Sequence, residues 1–199
     1  MKVHDLLWIS KGSELWSLDH PSWVRDALGQ APVVVVRRTE APRGFVAVGI
    51  RGTSREQRHA AFLRKQDVLA RRTPGSLAAE QAWHRSSLAL PLALFTALEM
   101  VGELSKKRQL LWGPIGSVGY QLATGMPATS ATSDLDLLVR CNDLLDHESL
   151  RALHALQLGV RFDVILEGPQ GAVALDEYLQ NRRTLIKTKR GPRVAVFSW

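Results

Sequence analysis

The stretch Ser133-Asp134-Leu135-Asp136-Leu137-Leu138-Val139 constrains the fold more than any other part of this sequence. Apolar residues at 135, 137 and 139 recur with a period of two, the signature of a strand with one buried face. Asp134 and Asp136 then project from the opposite face, with Cα atoms about 6.6 Å apart at the rise of a strand. At an effective dielectric of about 20, two such charges repel by roughly 2.5 kcal/mol. A domain with only about 5–15 kcal/mol of net stability gains nothing from that repulsion unaided. A divalent cation beside the pair reverses its sign. Hard oxygen ligands on one rigid face suit Mg²⁺, with Mn²⁺ as an alternative, because Mg²⁺ keeps waters and shares phosphate oxygens.

Two further segments extend this pattern. Upstream, Gly116-Ser117 stands in a glycine-rich stretch, Gly113 to Gly119, where backbone N–H groups and a hydroxyl can reach phosphate oxygens. It is no P-loop, since the Gly-Lys-Ser/Thr ending is absent. Downstream, Arg161-Phe162-Asp163-Val164-Ile165-Leu166 reads as a second strand, with Phe162, Val164 and Leu166 on one face and Asp163 sharing the other with Arg161. A third carboxylate beside the first two completes a two-metal site, where paired ions clamp the attacking and leaving oxygens of a phosphoryl transfer. Asp134, Asp136 and Asp163 are therefore the expected metal ligands and catalytic residues.

Around this centre, strands and helices alternate. Val33–Val36 and Phe45–Ile50 read as a hairpin with a longer loop. Thr53-Ser54-Arg55-Glu56 fits a capping box opening a helix to about Arg72, and Thr73-Pro74-Gly75-Ser76 breaks it. That break marks the expected boundary between a small α/β N-terminal subdomain, 1–75, and a catalytic domain, 76–199. Leu77 to about Leu104 is helical, as two helices meeting at Pro91. Asp146–Leu158 and Asp176–Arg183 read as helices, and Val194–Phe197 as a last strand. The fold class is α+β, a mixed sheet with flanking helices.

The composition, 45% hydrophobic and 23% charged over 199 residues, is that of an ordinary globular protein and disfavours disorder. A single cysteine, Cys141, precludes an internal disulfide or a Cys-rich metal site, and carries no assigned role. The longest nearly apolar run, Leu88–Leu98, holds Pro91 and falls short of the roughly 20 residues a membrane span needs. The opening Met-Lys-Val-His-Asp lacks a long apolar region, so no secretory signal is expected and the setting is cytoplasmic. The net charge of +7 favours a polyanionic partner: nucleic acid, nucleotide phosphates or an acidic protein. Arg51–Arg72 holds seven basic residues against two acids, and Arg182–Arg193 six against none. His147 and His154 stand seven apart on one helix face and suit a surface role; Trp112 suits a core wall, with base stacking as the alternative.

Gly-Ser followed by Asp-x-Asp and a later strand Asp resembles the DNA polymerase β-like nucleotidyltransferase superfamily. Sixteen residues separate Ser117 from Asp134, more than is usual there, so an inserted loop over Leu122–Ser133 is expected. The flanks narrow the likeness. Trp112-Gly-Pro-Ile-Gly-Ser-Val-Gly-Tyr-Gln-Leu-Ala-Thr-Gly125 with Ser133-Asp-Leu-Asp-Leu-Leu138 is similar to the phosphoribosyl-dephospho-CoA transferases of bacterial malonate decarboxylase. So are His4-Asp-Leu-Leu-Trp8, Gly49-Ile-Arg-Gly52 with Ser54-Arg55, and Arg190-Gly-Pro-Arg193, so the likeness spans nearly the whole chain.

The resemblance implies 2′-(5″-triphosphoribosyl)-3′-dephospho-CoA as substrate and a serine of the decarboxylase acyl-carrier subunit as acceptor, with pyrophosphate released. It implies Gly116 and Ser117 on the β- and γ-phosphates, and Mg²⁺ on the three aspartates. Arg182, Arg183 and Lys187, with Lys189 and Arg190, are then expected to contact the triphosphate or steer an acidic carrier; Arg51, Arg55 and Arg58 serve similarly with less support. Two other readings compete. One is an ATP-dependent nucleotidyltransferase with another acceptor; the other is a basic, non-catalytic nucleic-acid-binding protein. The second is disfavoured, because no nucleic-acid motif is present and the basic clusters lack interleaved aromatics. The sequence sets no oligomeric state.

Overall fold

The computed structural model describes residues 1–10, 12–19, 21–54, 56–142 and 145–198, and Arg55 lies outside them. The chain divides into two compact units, Met1–Thr73 and Pro74–Trp199. Both combine helices with a sheet, so the α+β class expected from the sequence is the one observed. Among the described residues, no helix is long and apolar enough to cross a membrane.

The first unit contains β1 (Leu6–Ile9), β2 (Leu15–Trp16), α1 (Ser22–Gln30), β3 (Val33–Val36), β4 (Phe45–Arg51), β5 (Arg58–Arg64) and β6 (Val68–Arg72). The strands form one sheet in the order β2-β5-β4-β3-β1-β6, every neighbouring pair antiparallel. Leu7, Val34, Val48, Ile50 and Leu63 build its core, and Trp23, Ala27 and Leu28 of α1 pack against it. The expected hairpin of residues 33–36 and 45–50 is present, with Val35 opposite Gly49 and Val36 opposite Val48.

The helix expected from Thr53 to Arg72 is not formed. Residues 58–64 are a strand paired with β4 along its whole length, from Phe45 opposite Arg64 to Arg51 opposite Arg58. Gln57 closes the turn. Its Oε1 accepts from the Thr53 N–H at 2.9 Å, the Thr53 hydroxyl at 3.1 Å and the Ser54 N–H at 3.2 Å. Ala61 and Leu63 enter the core while Arg58 and Arg64 stay exposed, the alternation of a half-buried strand. Long-range pairing here outweighs a local helix signal.

The second unit runs α2 (Pro74–Ala79), α3 (Leu92–Arg108), β7 (Trp112–Pro114), α4 (Gly116–Thr124), β8 (Leu135–Arg140), α5 (His147–His154), β9 (Phe162–Gly168), β10 (Gly171–Ala174), α6 (Leu175–Gln180), β11 (Thr184–Thr188) and β12 (Gly191–Ala195). Pro91 sits at the N-cap of α3, so it opens that helix instead of joining two long ones. The helix expected over 176–183 ends at Gln180, leaving Arg182 and Arg183 ahead of β11, and the last strand begins earlier than expected. Asp146 caps α5 by accepting the Ser149 N–H at 2.6 Å. That hydrogen bond holds its carboxyl below the usual range.

The sheet order is β12-β11-β10-β9-β8-β7, antiparallel throughout except for the parallel pair β8–β9. Trp112, Val139, Leu166 and Val173 stand opposite one another across four strands, all buried. Leu135, Leu137 and Val164 share that face, packed with Leu98 and Val101 of α3, Val118 of α4 and Leu153 of α5. β7 approaches α2 so closely that a Cβ at Gly113 would lie 2.0 Å from the Pro74 carbonyl oxygen. Leu137 is wholly buried. Leu137→Ala is expected to cost about 2–5 kcal/mol, read as a lower denaturation midpoint with helical circular dichroism retained.

Candidate active site

The parallel ladder of β8 and β9 sets Asp136 directly opposite Asp163 and Leu135 opposite Phe162. Because the alternation is strict, the leucines at 135 and 137 and the valine at 164 go into the core, while both aspartates face the other way. Neighbouring strands lie about 4.8 Å apart, so these two carboxylates arise side by side. One step earlier, the Leu135 N–H donates to the Arg161 carbonyl at 2.9 Å, which brings Asp134 beside Arg161. The Arg161 guanidinium there donates through Nε and Nη2 to the two oxygens of Asp134, each at 2.8 Å. Asp134, and secondarily Asp163, raise the pKa of that guanidinium above its ordinary value.

β7 runs antiparallel to β8, so its end, Pro114, lies at the sheet edge where β8 and β9 begin. The chain then turns into α4. The Ile115 N–H donates to the Asp136 carbonyl at 2.9 Å, and Gly116 follows with φ +62°, a left-handed conformation. A Cβ at this position would stand 2.0 Å from Asp136 Oδ2. Only glycine satisfies both demands, and its bare Cα lets the turn pack directly against the Asp136 carboxylate. Ser117 follows in the first turn of α4, where helix N–H groups have no partner within the helix.

The loop that separates α4 from Asp134 is fastened by Gln121. This side chain is 1% exposed, and its Oε1 accepts from the Ala128 N–H at 3.0 Å, the Thr129 N–H at 3.0 Å and the Thr129 hydroxyl at 2.9 Å. Its Nε2 donates to the Ala89 carbonyl at 3.4 Å. The expected insertion is thus shorter than Leu122–Ser133, since α4 continues to Thr124. Gln121 was not singled out from the sequence; a buried amide before a polar loop is the signal that marks it.

The structure brings Gly116, Ser117, Asp134, Asp136 and Asp163 to one sheet edge. β11 runs in the same direction as β9, being antiparallel to β10, so Arg182 and Arg183 before it belong to this edge as well. Both are exposed, and Arg183 donates to the Val194 carbonyl at 3.5 Å. Lys187 does not join them. It stands opposite Ala172, which stands opposite Glu167, four residues along β9 from Asp163, or about 13 Å. Among the described residues, no three His, Cys, Asp or Glu side chains converge as a metal cluster. Both Asp134 oxygens accept from Arg161 here.

The remaining candidates are structural. His147 hydrogen-bonds the Tyr178 hydroxyl at 3.1 Å and His154 meets Asp176 at 3.2 Å, so both link α5 to α6. Trp112, 9% exposed and 6.0 Å from the Trp83 ring, is a core wall and offers no open face for a base. Burial pushes the Cys141 thiol up to about 12, which removes it as a nucleophile.

Gly116→Ala is expected to cut turnover roughly 100-fold through displacement of Asp136, and to lower the melting temperature by a few degrees because the left-handed backbone costs alanine about 1–2 kcal/mol. Cys141 in the native protein is expected to react with a disulfide reagent at pH 8 at least about tenfold more slowly than in urea, followed by absorbance.

Residues 2–74 match the family described as Phosphoribosyl-dephospho-CoA transferase MdcG N-terminal domain, and residues 68–196 match its C-terminal domain. A phosphoribosyl-dephospho-CoA transferase of Pseudomonas putida is 41% identical over 201 residues, covering 100% of this chain and 95% of that protein. One from Azotobacter vinelandii is 38% identical, covering 98% and 93%, and one from Klebsiella pneumoniae 36%, covering 100% and 96%. No solved structure matches. Alike in both units and along nearly its whole length, the chain belongs to the phosphoribosyl-dephospho-CoA transferase family of enzymes.

Proposed function

We propose that this enzyme transfers the phosphoribosyl-dephospho-CoA group from 2′-(5″-triphosphoribosyl)-3′-dephospho-CoA to a serine of the malonate decarboxylase acyl-carrier subunit, releasing pyrophosphate. The chemistry is that of the DNA polymerase β-like nucleotidyltransferases. The observation that carries it is the register of Asp136 against Asp163 on parallel strands, with the Gly116 turn packed directly against the Asp136 carboxylate. Three hard carboxylates at one edge suit Mg²⁺ or Mn²⁺ held by Asp134, Asp136 and Asp163. When bound, the ion supplies charge neutralisation for the triphosphate.

The chain's own residues do the rest. Gly116 and Ser117 bind the β- and γ-phosphates with backbone N–H groups and a hydroxyl at the start of α4. Arg182 and Arg183, at the same sheet edge, draw the polyphosphate or an acidic carrier toward it. The serine Oγ attacks the α-phosphorus in line, and the bond from that phosphorus to the bridging oxygen of pyrophosphate breaks. Asp163, exposed beside Asp136, accepts the serine proton. Positioning and charge stabilisation thus provide most of the rate. The cytoplasm is the natural setting, since a lone cysteine asks for no oxidising compartment.

Intact-mass measurement of the apo acyl-carrier subunit, incubated with enzyme, Mg²⁺ and the triphosphoribosyl precursor, tests this reading. The expected gain equals the precursor minus pyrophosphate, and Asp136→Ala or Asp134→Ala abolishes most of it without loss of fold. No gain from folded components sinks the proposed reaction, and a near-normal rate in either variant sinks the metal assignment.

A further inference from the structure

The β8–β9 register places the Arg161 cation beside Asp134 and on the same face as Asp163. Its guanidinium takes both oxygens of Asp134 in a fork, at 2.8 Å each, and its side chain is 74% exposed against 20% for Asp134. A fork held on a carboxylate, with its stem mostly in solvent, is free to exchange that partner for another planar or tetrahedral oxyanion. Carboxylate and phosphate present a similar spacing of acceptor oxygens, and guanidinium binds either bidentately. The fork takes one acceptor site on each Asp134 oxygen, so a divalent cation approaching the same side of that carboxylate must compete with it.

We infer that Arg161 is a positioning residue that exchanges partners, holding Asp134 while the site lacks a cation and moving onto the triphosphate once a cation takes that carboxylate. This inference rests on the metal-site reading above. Its consequence is a coupling between the two ligands. A cation alone must displace a bidentate partner and binds weakly. A polyphosphate alone meets a guanidinium already engaged. A cation–polyphosphate complex satisfies every group at once: the carboxylate receives the cation and the fork receives the phosphate. Arg161 thereby favours binding of the two as one complex, and such coupling is reciprocal.

The probes are Mn²⁺ alone, followed by electron paramagnetic resonance, and a preformed one-to-one Mn²⁺–tripolyphosphate complex, followed by calorimetry. In Arg161→Gln the affinity for Mn²⁺ alone is expected to rise about tenfold, while that for the complex falls about tenfold. Arg161→Lys, which keeps the charge and loses the fork, falls between wild type and Arg161→Gln on both readouts. Exposure of Arg161 makes loss of fold a minor concern, and circular dichroism verifies it. Asp136→Asn serves as the control. If it abolishes Mn²⁺ binding while Arg161→Gln leaves both affinities unchanged, the exchange is overturned and the metal site stands. If Asp136→Asn leaves Mn²⁺ binding intact, the metal-site reading fails and the exchange fails with it.

Discussion

The parallel ladder between β8 and β9 is the constraint on which the candidate site depends. Asp136 meets Asp163, and Asp134 reaches Arg161, only in the register that pairs Leu135 with Phe162. A slip of β8 by one residue would turn Asp134 and Asp136 inward and bring Leu135 and Leu137 out, and a slip of β9 would do the same to Asp163 and Val164. Burial of those apolar side chains therefore fixes the positions of the charged ones. The cost of gathering three carboxylates at one edge is met by packing on the opposite face of the same strands, where Leu135 and Leu137 are fully buried.

Much of this was legible in the residues. The alternation through Leu135, Leu137 and Val139, and again through Phe162, Val164 and Leu166, set both strands and the orientation of all three aspartates. What local pattern could not convey was which strands would pair. Residues 58–72 carry arginine, alanine and leucine in a helix-compatible arrangement after an apparent capping box, yet β4 claims 58–64 along seven positions and β1 claims 68–72. The same limit hides Arg161. Its adjacency to Asp134 arises between residues 27 apart in sequence, through strand pairing alone.

Charge on this chain is organised by strand direction as much as by amount. Arg182, Arg183 and Lys187 belong to one basic cluster in sequence. The sheet separates them, since the arginines precede β11 at the edge of the aspartates while Lys187 lies toward its far end. A cluster read as a single patch thus becomes two features with different neighbours. The two histidines on α5, seven apart and expected at the surface, each meet a residue of α6.

Gln121 bears on how such an enzyme can vary. An unfastened connection between α4 and β8 would leave Asp134 at the end of a wandering tether, with the closure entropy of its whole length to overcome. By gripping Ala128 and Thr129, one amide splits that connection into two short spans. The stretch on either side of the grip is thereby released from the geometry of the carboxylates. Lineages are free to lengthen or rewrite it, so long as a buried hydrogen-bonding anchor persists at the helix.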